Sequence, residues 1–355
     1  MDNKIFNMSD TIVSSDTGKV KLHINTLNFF RNTEYFTPID EGQTFIGFQG
    51  QADVSYQPYK NLRIHGGIYI QKDYGTNGFT LVQPIFRITY RPGKWQYNLG
   101  QLDGSTNHRL IEPLFNIDRA ITNKLENGLQ AKYSGKKLWL DGWLNWEKAT
   151  YHEANVQEQF TIGASVRLDI LKRKKIEIVM PFQNILNHRG GQIDITGNPI
   201  VSRMNTAIGI SAICNIFKTR IRNFKLEQYY VASNDFSPAL TQPYKNGHGF
   251  LSTLSVSTKN TTLMLNYWNG TEYQSGRGTL IYNSYAFYDV YYHERFRELI
   301  FVRFLYYKNI YKNLNFDFRA EPIYDLINHE IQYSYSVYLS YKVSFGLGKI
   351  KALTL

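Results

Sequence analysis

The sequence predicts an all-β chain folded as an antiparallel transmembrane β-barrel of about 16 strands, range 14–18, with short periplasmic turns and long extracellular loops. Three observations predict it. Apolar and polar residues alternate with period two through most of the 355 residues, the connections between these segments are short and long by turns, and aromatics are plentiful. Tyr 27, Phe 22 and Trp 5 make up 15% of the chain, yet mean hydropathy is only −0.38. A membrane-spanning helix needs about 20 consecutive apolar residues, and no segment here approaches that. The wealth of aromatic and β-branched residues excludes a disordered chain. A single cysteine, Cys214, excludes an internal disulfide and a cysteine metal cluster.

Taken in order, Met1 to Asp16 is polar and has no apolar leader core. Residues 1–19 are read as an N-terminal periplasmic segment of a mature chain, 20–347 as the barrel and 348–355 as a tail. Strands are expected at 20–31, 44–56, 61–71, 80–91, 95–102, 128–134, 137–147 and 159–170. The second half continues with 176–184, 206–217, 221–231, 248–258, 261–268, 285–307, 313–324 and 330–347. A strand turns successive side chains to opposite faces. In the last segment Ile331, Tyr333, Tyr335, Val337, Leu339, Tyr341, Val343, Phe345 and Leu347 share one face. The same pattern sets Ile46, Phe48 and Val54 against Gln49, Gln51 and Asp53, and Phe160, Ile162 and Val166 against Thr161, Ser165 and Arg167. Alternation alone also suits a soluble sandwich. The regular exchange of short turns with long loops at 103–127, 185–205, 232–247 and 269–284 selects the barrel.

The net charge of +11 is concentrated in the short turns. Lys60, Arg91, Lys94, Lys136, Lys137, Lys172, Arg173, Lys174, Lys175, Lys218, Arg220, Lys259, Lys308 and Lys312 lie there, with no Asp or Glu among them. The rest of the chain is near neutral, with 26 basic against 29 acidic residues, so nucleic acid is not the expected partner. Solvated turns at a membrane boundary explain the basic cluster, and contact with anionic lipid is the sharper alternative. The polar strand faces carry both signs and are expected to line the lumen through Arg63, His65, Arg87, Arg167, Arg303, Asp317, Arg319 and Glu321. Buried charges would be costly in a sandwich core but not in a wet lumen. A turn joining 307 to 313 would set Arg303 opposite Asp317.

Loop 103–127 carries Leu110, Ile111, Leu114, Phe115, Ile117, Ala120 and Ile121, too apolar for a segment held in water. It either folds into the barrel as a constriction, with Glu112, Asp118 and Arg119 lining the pore, or packs on neighbouring outer loops. The triplet Asn107-His108-Arg109 recurs as Asn187-His188-Arg189; chance or paired anchors explain this better than a shared metal site. There is no G-x-S-x-G and no H-E-x-x-H, and no strand sets His and Ser two apart on one face. His23 and His65 lie on polar faces without an obvious Ser or paired-carboxylate neighbour. The expectation is therefore no enzyme, no metal and no cofactor.

At the level of architecture nearly the whole chain resembles outer-membrane porin-like β-barrels. More narrowly, "FFRNTEYF" at 29–36, "EPLFNIDRAITNKLENGLQ" at 112–130, "WLNWE" at 143–147 and "PFQNILNHRGGQID" at 181–194 resemble uncharacterised barrels of Bacteroidota. The resemblance implies an outer-membrane location, outer-membrane lipid around the wall and, for porin-like members, passive passage of small hydrophilic solutes. It carries over no catalytic residue. Such barrels usually end on an aromatic residue, whereas this chain ends on Leu355 with Phe345 in its last strand. The functional expectation is a diffusion channel narrowed by loop 103–127. The alternative is a non-conducting accessory barrel docking a surface lipoprotein or another outer-membrane subunit through its loops. Bulky residues on the polar faces, Tyr69, Trp139, Trp143 and Tyr307, favour a filled lumen, and the many Ser, Gln and Gly positions favour an open one.

Overall fold

Period-two alternation needs a surface that is apolar outside and polar inside, and a closed sheet provides it. The computed structural model describes residues 4–7, 11–104, 108–152, 154–191, 193, 195–217, 219–286, 288–289 and 291–350. Sixteen antiparallel strands pair in chain order, and the ladder of the first with the last closes the barrel. The first half comprises β1 (Lys19–Glu34), β2 (Thr44–Tyr59), β3 (Leu62–Asp73), β4 (Leu81–Tyr90), β5 (Trp95–Gln101), β6 (Asn127–Ser134), β7 (Leu138–Lys148) and β8 (Gln159–Lys172). The second comprises β9 (Ile176–Arg189), β10 (Val201–Asn215), β11 (Asn223–Asp235), β12 (Asn246–Ser257), β13 (Thr261–Thr271), β14 (Phe296–Tyr311), β15 (Leu314–Asp325) and β16 (Glu330–Lys349). Each expected segment becomes a strand. Among the described residues, no helix is long and apolar enough to cross a membrane.

The outward face is apolar and exposed, as at Ile46, Phe86, Leu129, Ile162, Leu263 and Leu265, which in lipid is the favourable arrangement. The packed interior is the lumen. Leu110, Ile111, Leu114 and Phe115 from the third outer loop join Trp143, Trp268, Tyr273, Ile281 and Tyr282 in one buried cluster. A second cluster brings Ile5 and Phe6 of the N-terminal segment against Ile117, Ala120, Ile121 and Tyr338. Phe6 meets Tyr338 edge-on at 4.9 Å. Trp143 lies inside because its cross-strand partner is Gly163; a Cβ there would come within 2.1 Å of the indole.

Three local expectations are corrected. The strand expected at 285–307 begins only at Phe296, because Tyr273 to Ala286 turn inward and spend their apolar residues on the lumen. The loop expected at 185–205 is shorter, since β9 continues to Arg189 and β10 starts at Val201. Arg303 does not face Asp317. β14 and β15 run into a tight turn with Tyr311 opposite Leu314 and a register shift beside it, so Tyr307 faces Asp317. At the C-terminus, β16 includes Gly348 and Lys349, both paired with β1.

Candidate functional site

Near the short-turn end of the lumen, β1, β2, β3, β4 and β16 bring two histidines, a carboxylate and two serines together. The β1–β2 register sets His23 opposite Asp53, and the β2–β3 register sets Ser55 opposite His65. His23 Nε2 lies 2.8 Å from Ser55 Oγ, and its Nδ1 lies 2.7 Å from Ser344 Oγ. His65 Nδ1 lies 2.9 Å from Asp53 Oδ2, whose other oxygen accepts a bond from Gln51 at 2.9 Å. Arg87 donates towards His65 Nε2 at 3.4 Å. An arginine can only donate, so that nitrogen accepts and the His65 proton sits on Nδ1, facing Asp53. The two imidazole rings are 5.6 Å apart. Arg63 lies two residues from His65 on the same face and donates to Gln57 at 2.8 Å.

A hydroxyl in contact with an imidazole, beside a second imidazole oriented by a carboxylate and two buried guanidinium groups, has the parts of an acyl-transfer centre. The same residues could hold a cation. Ligand atoms of His23, Asp53 and His65 lie within 4.8 Å of one another. The positive charge of Arg87 against His65 weighs on the other side.

Above this cluster the third loop and the N-terminal segment occupy much of the lumen. Glu112 of the third loop reaches Arg303, and the Tyr282 hydroxyl donates to it at 3.1 Å. Burial opposes the Glu112 charge, but the Arg303 guanidinium outweighs it and holds the carboxyl below the usual range. Arg303 also meets Glu321 at 3.1 Å, and Glu321 lies 3.7 Å from Arg31, which pairs with Asp118. Arg119 starts a single helical turn, α1 (Arg119–Thr122), and lies 3.6 Å from Glu147, which Arg277 binds at 2.6 Å. His108 packs flat on Trp143 with centroids 3.7 Å apart. Its Nδ1 lies 2.9 Å from Asp141 and its Nε2 2.7 Å from Glu126. Burial opposes the imidazolium, yet the two carboxylates push its pKa up to about 9. Lys124, buried beside Lys342, is pushed down to about 7.

The eight residues expected to line the lumen lie on inward-facing strand positions, in four separate sets. Arg63, His65 and Arg87 belong to the histidine cluster. Arg303 and Glu321 hold the third loop. Asp317 pairs with Arg319 at 2.7 Å, and Arg167 bonds Asp169 at 2.8 Å and Glu177 at 3.5 Å. Glu112, Asp118 and Arg119 are tied to the wall by ion pairs rather than lining an open gap. The repeated triplets do not meet: His108 is inside, His188 stacks on Phe160, and Asn107 lies outside the described residues.

Sequence reading missed Ser55, Ser344 and Asp53 as neighbours of the histidines. The relation is cross-strand and therefore invisible along any one strand. A turn at Gln57–Lys60 was expected, whereas Tyr59 faces Leu62 and a register shift follows, moving every partner on β2 relative to β3.

The family model described as lipid A 3'-O-deacylase-type matches residues 12–350, nearly the whole chain. The chain belongs to the lipid A 3'-O-deacylase-type family. That membership overturns the expectation of a barrel without enzymatic character. G-x-S-x-G and H-E-x-x-H are strand-to-helix and helix motifs, and the wall of this barrel is built of strands. No curated protein sequence matches the chain.

Solved structures confirm that this family member has the outer-membrane barrel fold. OprD from Pseudomonas aeruginosa is 9% identical, with 95% of this chain and 97% of that one covered and a TM-score of 0.54. A BenF-like porin from Pseudomonas fluorescens Pf-5 is 9% identical, with 93% and 100% covered and a TM-score of 0.55. OmpT from Vibrio cholerae, in its trimer form, is 9% identical over 92% and 100%, with a TM-score of 0.51. At such identities the likeness is one of fold.

Proposed function

We propose that the chain is an outer-membrane hydrolase that releases an ester-linked acyl chain from a glycolipid of the lipid A kind. The contact between His23 Nε2 and Ser55 Oγ at 2.8 Å, in a family of deacylase type, carries this reading. In the proposed reaction Ser55 Oγ attacks the ester carbonyl and its proton passes to His23. Arg87 or Arg63 balances the negative charge on the carbonyl oxygen. The C–O bond to the sugar then breaks, and His23 returns the proton to the leaving oxygen. Water, deprotonated by His23, attacks the acyl–serine ester; the acyl C–O bond to Ser55 breaks, His23 returns the proton to Ser55 Oγ, and the fatty acid leaves. Ser344 holds the other nitrogen of His23 and positions the ring, while the Asp53–His65 pair shapes the field around it.

The second reading, a diffusion pore narrowed by loop 103–127, is favoured by the polar lumen wall and opposed by the two apolar clusters inside it. A fluorophosphonate probe separates the two. The wild-type barrel is expected to label at Ser55 and to cleave a model ester, with Ser55→Ala losing both and His23→Ala lowering the rate by about a thousandfold or more. Ser344→Ala is expected to weaken the rate by about tenfold. Equal ester cleavage by wild type, Ser55→Ala and His23→Ala would overturn the assignment.

A further inference from the structure

At the long-loop end of the lumen, opposite the histidine cluster, lies a hollow of about 400 Å³, a size usual for small-ligand sites. Strand parity sets its wall. Asn187 and Arg189 follow Gln183 and Ile185 on the inward face of β9. The ladders place Arg189 opposite Gln159 of β8 and Val201 of β10, and Arg203 is the next inward residue of β10. Residues 275–277, which turn inward after β13, form a second side. Thr241 and Gln242, from the loop between β11 and β12, form a third.

The lining carries Arg189, Arg203 and Arg277 and, among the described residues, no Asp or Glu. Two carboxylates reach these arginines from outside the hollow. Asp235 holds Arg203 at 2.9 Å, and Glu147 holds Arg277 at 2.6 Å. Arg189 is exposed and has no carboxylate against it among the described residues. Three guanidinium groups thus meet two carboxylates. The excess is felt at Arg277: burial pushes its pKa down to about 10, and Arg119 adds to the shift.

Two neutral groups at the hollow also lack a partner. Asn187 is 9% exposed, and its Nδ2 is a buried donor without an acceptor. A Cβ at Gly276 would come within 2.7 Å of that nitrogen, so the glycine leaves the amide its place. Gln242 donates through Nε2 to the Tyr285 hydroxyl, which fixes the orientation of its amide and leaves Oε1 as a buried acceptor without a donor. Unmet buried polar groups are costly. The hollow therefore offers cationic forks and an amide donor to an anion, and an acceptor to a hydroxyl. A phosphate supplies acceptor oxygens that match guanidinium forks, and a sugar supplies the hydroxyl.

We propose that this hollow binds a phosphorylated sugar, with the phosphate against Arg189 and Arg277 and a ring hydroxyl donating to Gln242 Oε1. The site lies at the other end of the lumen from Ser55 and His23, and it stands whether or not the barrel is a hydrolase.

The test is isothermal titration calorimetry of the full barrel in phosphatidylcholine nanodiscs, with glucose 6-phosphate, inorganic phosphate and glucose as probes. Glucose 6-phosphate is expected to bind once per chain and more tightly than inorganic phosphate, and glucose to give no measurable heat. Arg189→Gln, at an exposed position, is expected to weaken both phosphates about tenfold or more. Gln242→Leu is expected to remove the preference for the sugar phosphate and to bind inorganic phosphate as wild type does. Nanodiscs that also contain lipid A distinguish the source of the ligand. Blocked glucose 6-phosphate binding there would support a phosphorylated sugar on a lipid head, and undiminished binding would support a water-borne one. No binding of either phosphate by the folded wild type, or equal binding by wild type and Arg189→Gln, would overturn the proposal.

Discussion

His108 has carboxylates on both ring nitrogens, and its face lies on Trp143, so it serves as a charged pin for the third loop rather than a proton shuttle. Its pKa in the folded chain, about 9, lies above the ordinary 6.5. A raised imidazole stabilises the fold fully below the ordinary value, and that contribution fades as pH rises through about 9. The expected outcome is local loosening of the loop in mild alkali. Tryptophan fluorescence should rise with a midpoint near pH 9, as the quenching imidazolium under Trp143 loses its proton, and this step should be absent from His108→Gln. A flat titration of the wild-type protein would contradict the pin. His23 differs in kind, since its ring nitrogens meet hydroxyls rather than carboxylates. Neither environment was visible in the sequence: both depend on partners at least 18 residues away, as His108 and Glu126 show.

The third loop shows how much of an element its own residues reveal. Leu110, Ile111, Leu114 and Phe115 announced that the segment must be buried, and they are buried in the lumen. What the loop would dock on was not legible, because the partner faces come from strands whose registers shift at the turns. The same shifts hid the pairing of Arg303, which holds Glu112 and Glu321. Strand positions were legible because period two is a local property. Removing Glu112 leaves the buried Arg303 with the Glu321 carboxylate and the Tyr282 hydroxyl. Glu112→Ala is therefore expected to destabilise loop docking by about 2–4 kcal/mol, less than the about 3–5 of a fully broken buried pair. Trypsin should then cut at Arg109, Arg119 or Lys124 in the folded barrel, and its ion conductance in a planar bilayer should rise. A variant as resistant and as quiet as wild type would show that the apolar cluster alone holds the loop.

For the whole molecule, a closed sixteen-stranded wall provides an apolar exterior, and the loops and N-terminal segment fill much of its interior. A general pore spends its polar wall on water. Here many wall charges are engaged in ion pairs, some with the segments inside and some with one another. Composition and alternation made the barrel legible from the sequence. The histidine cluster was not, since its side chains come from five strands and its partners are set by cross-strand register. The most direct test is the mass spectrum of purified lipid A before and after incubation with the folded barrel, alongside Ser55→Ala. The expected result is a product lighter by one acyl chain, with the matching free fatty acid, from wild type alone. Intact lipid A from a properly folded wild-type barrel, or the same loss from Ser55→Ala, would contradict the account.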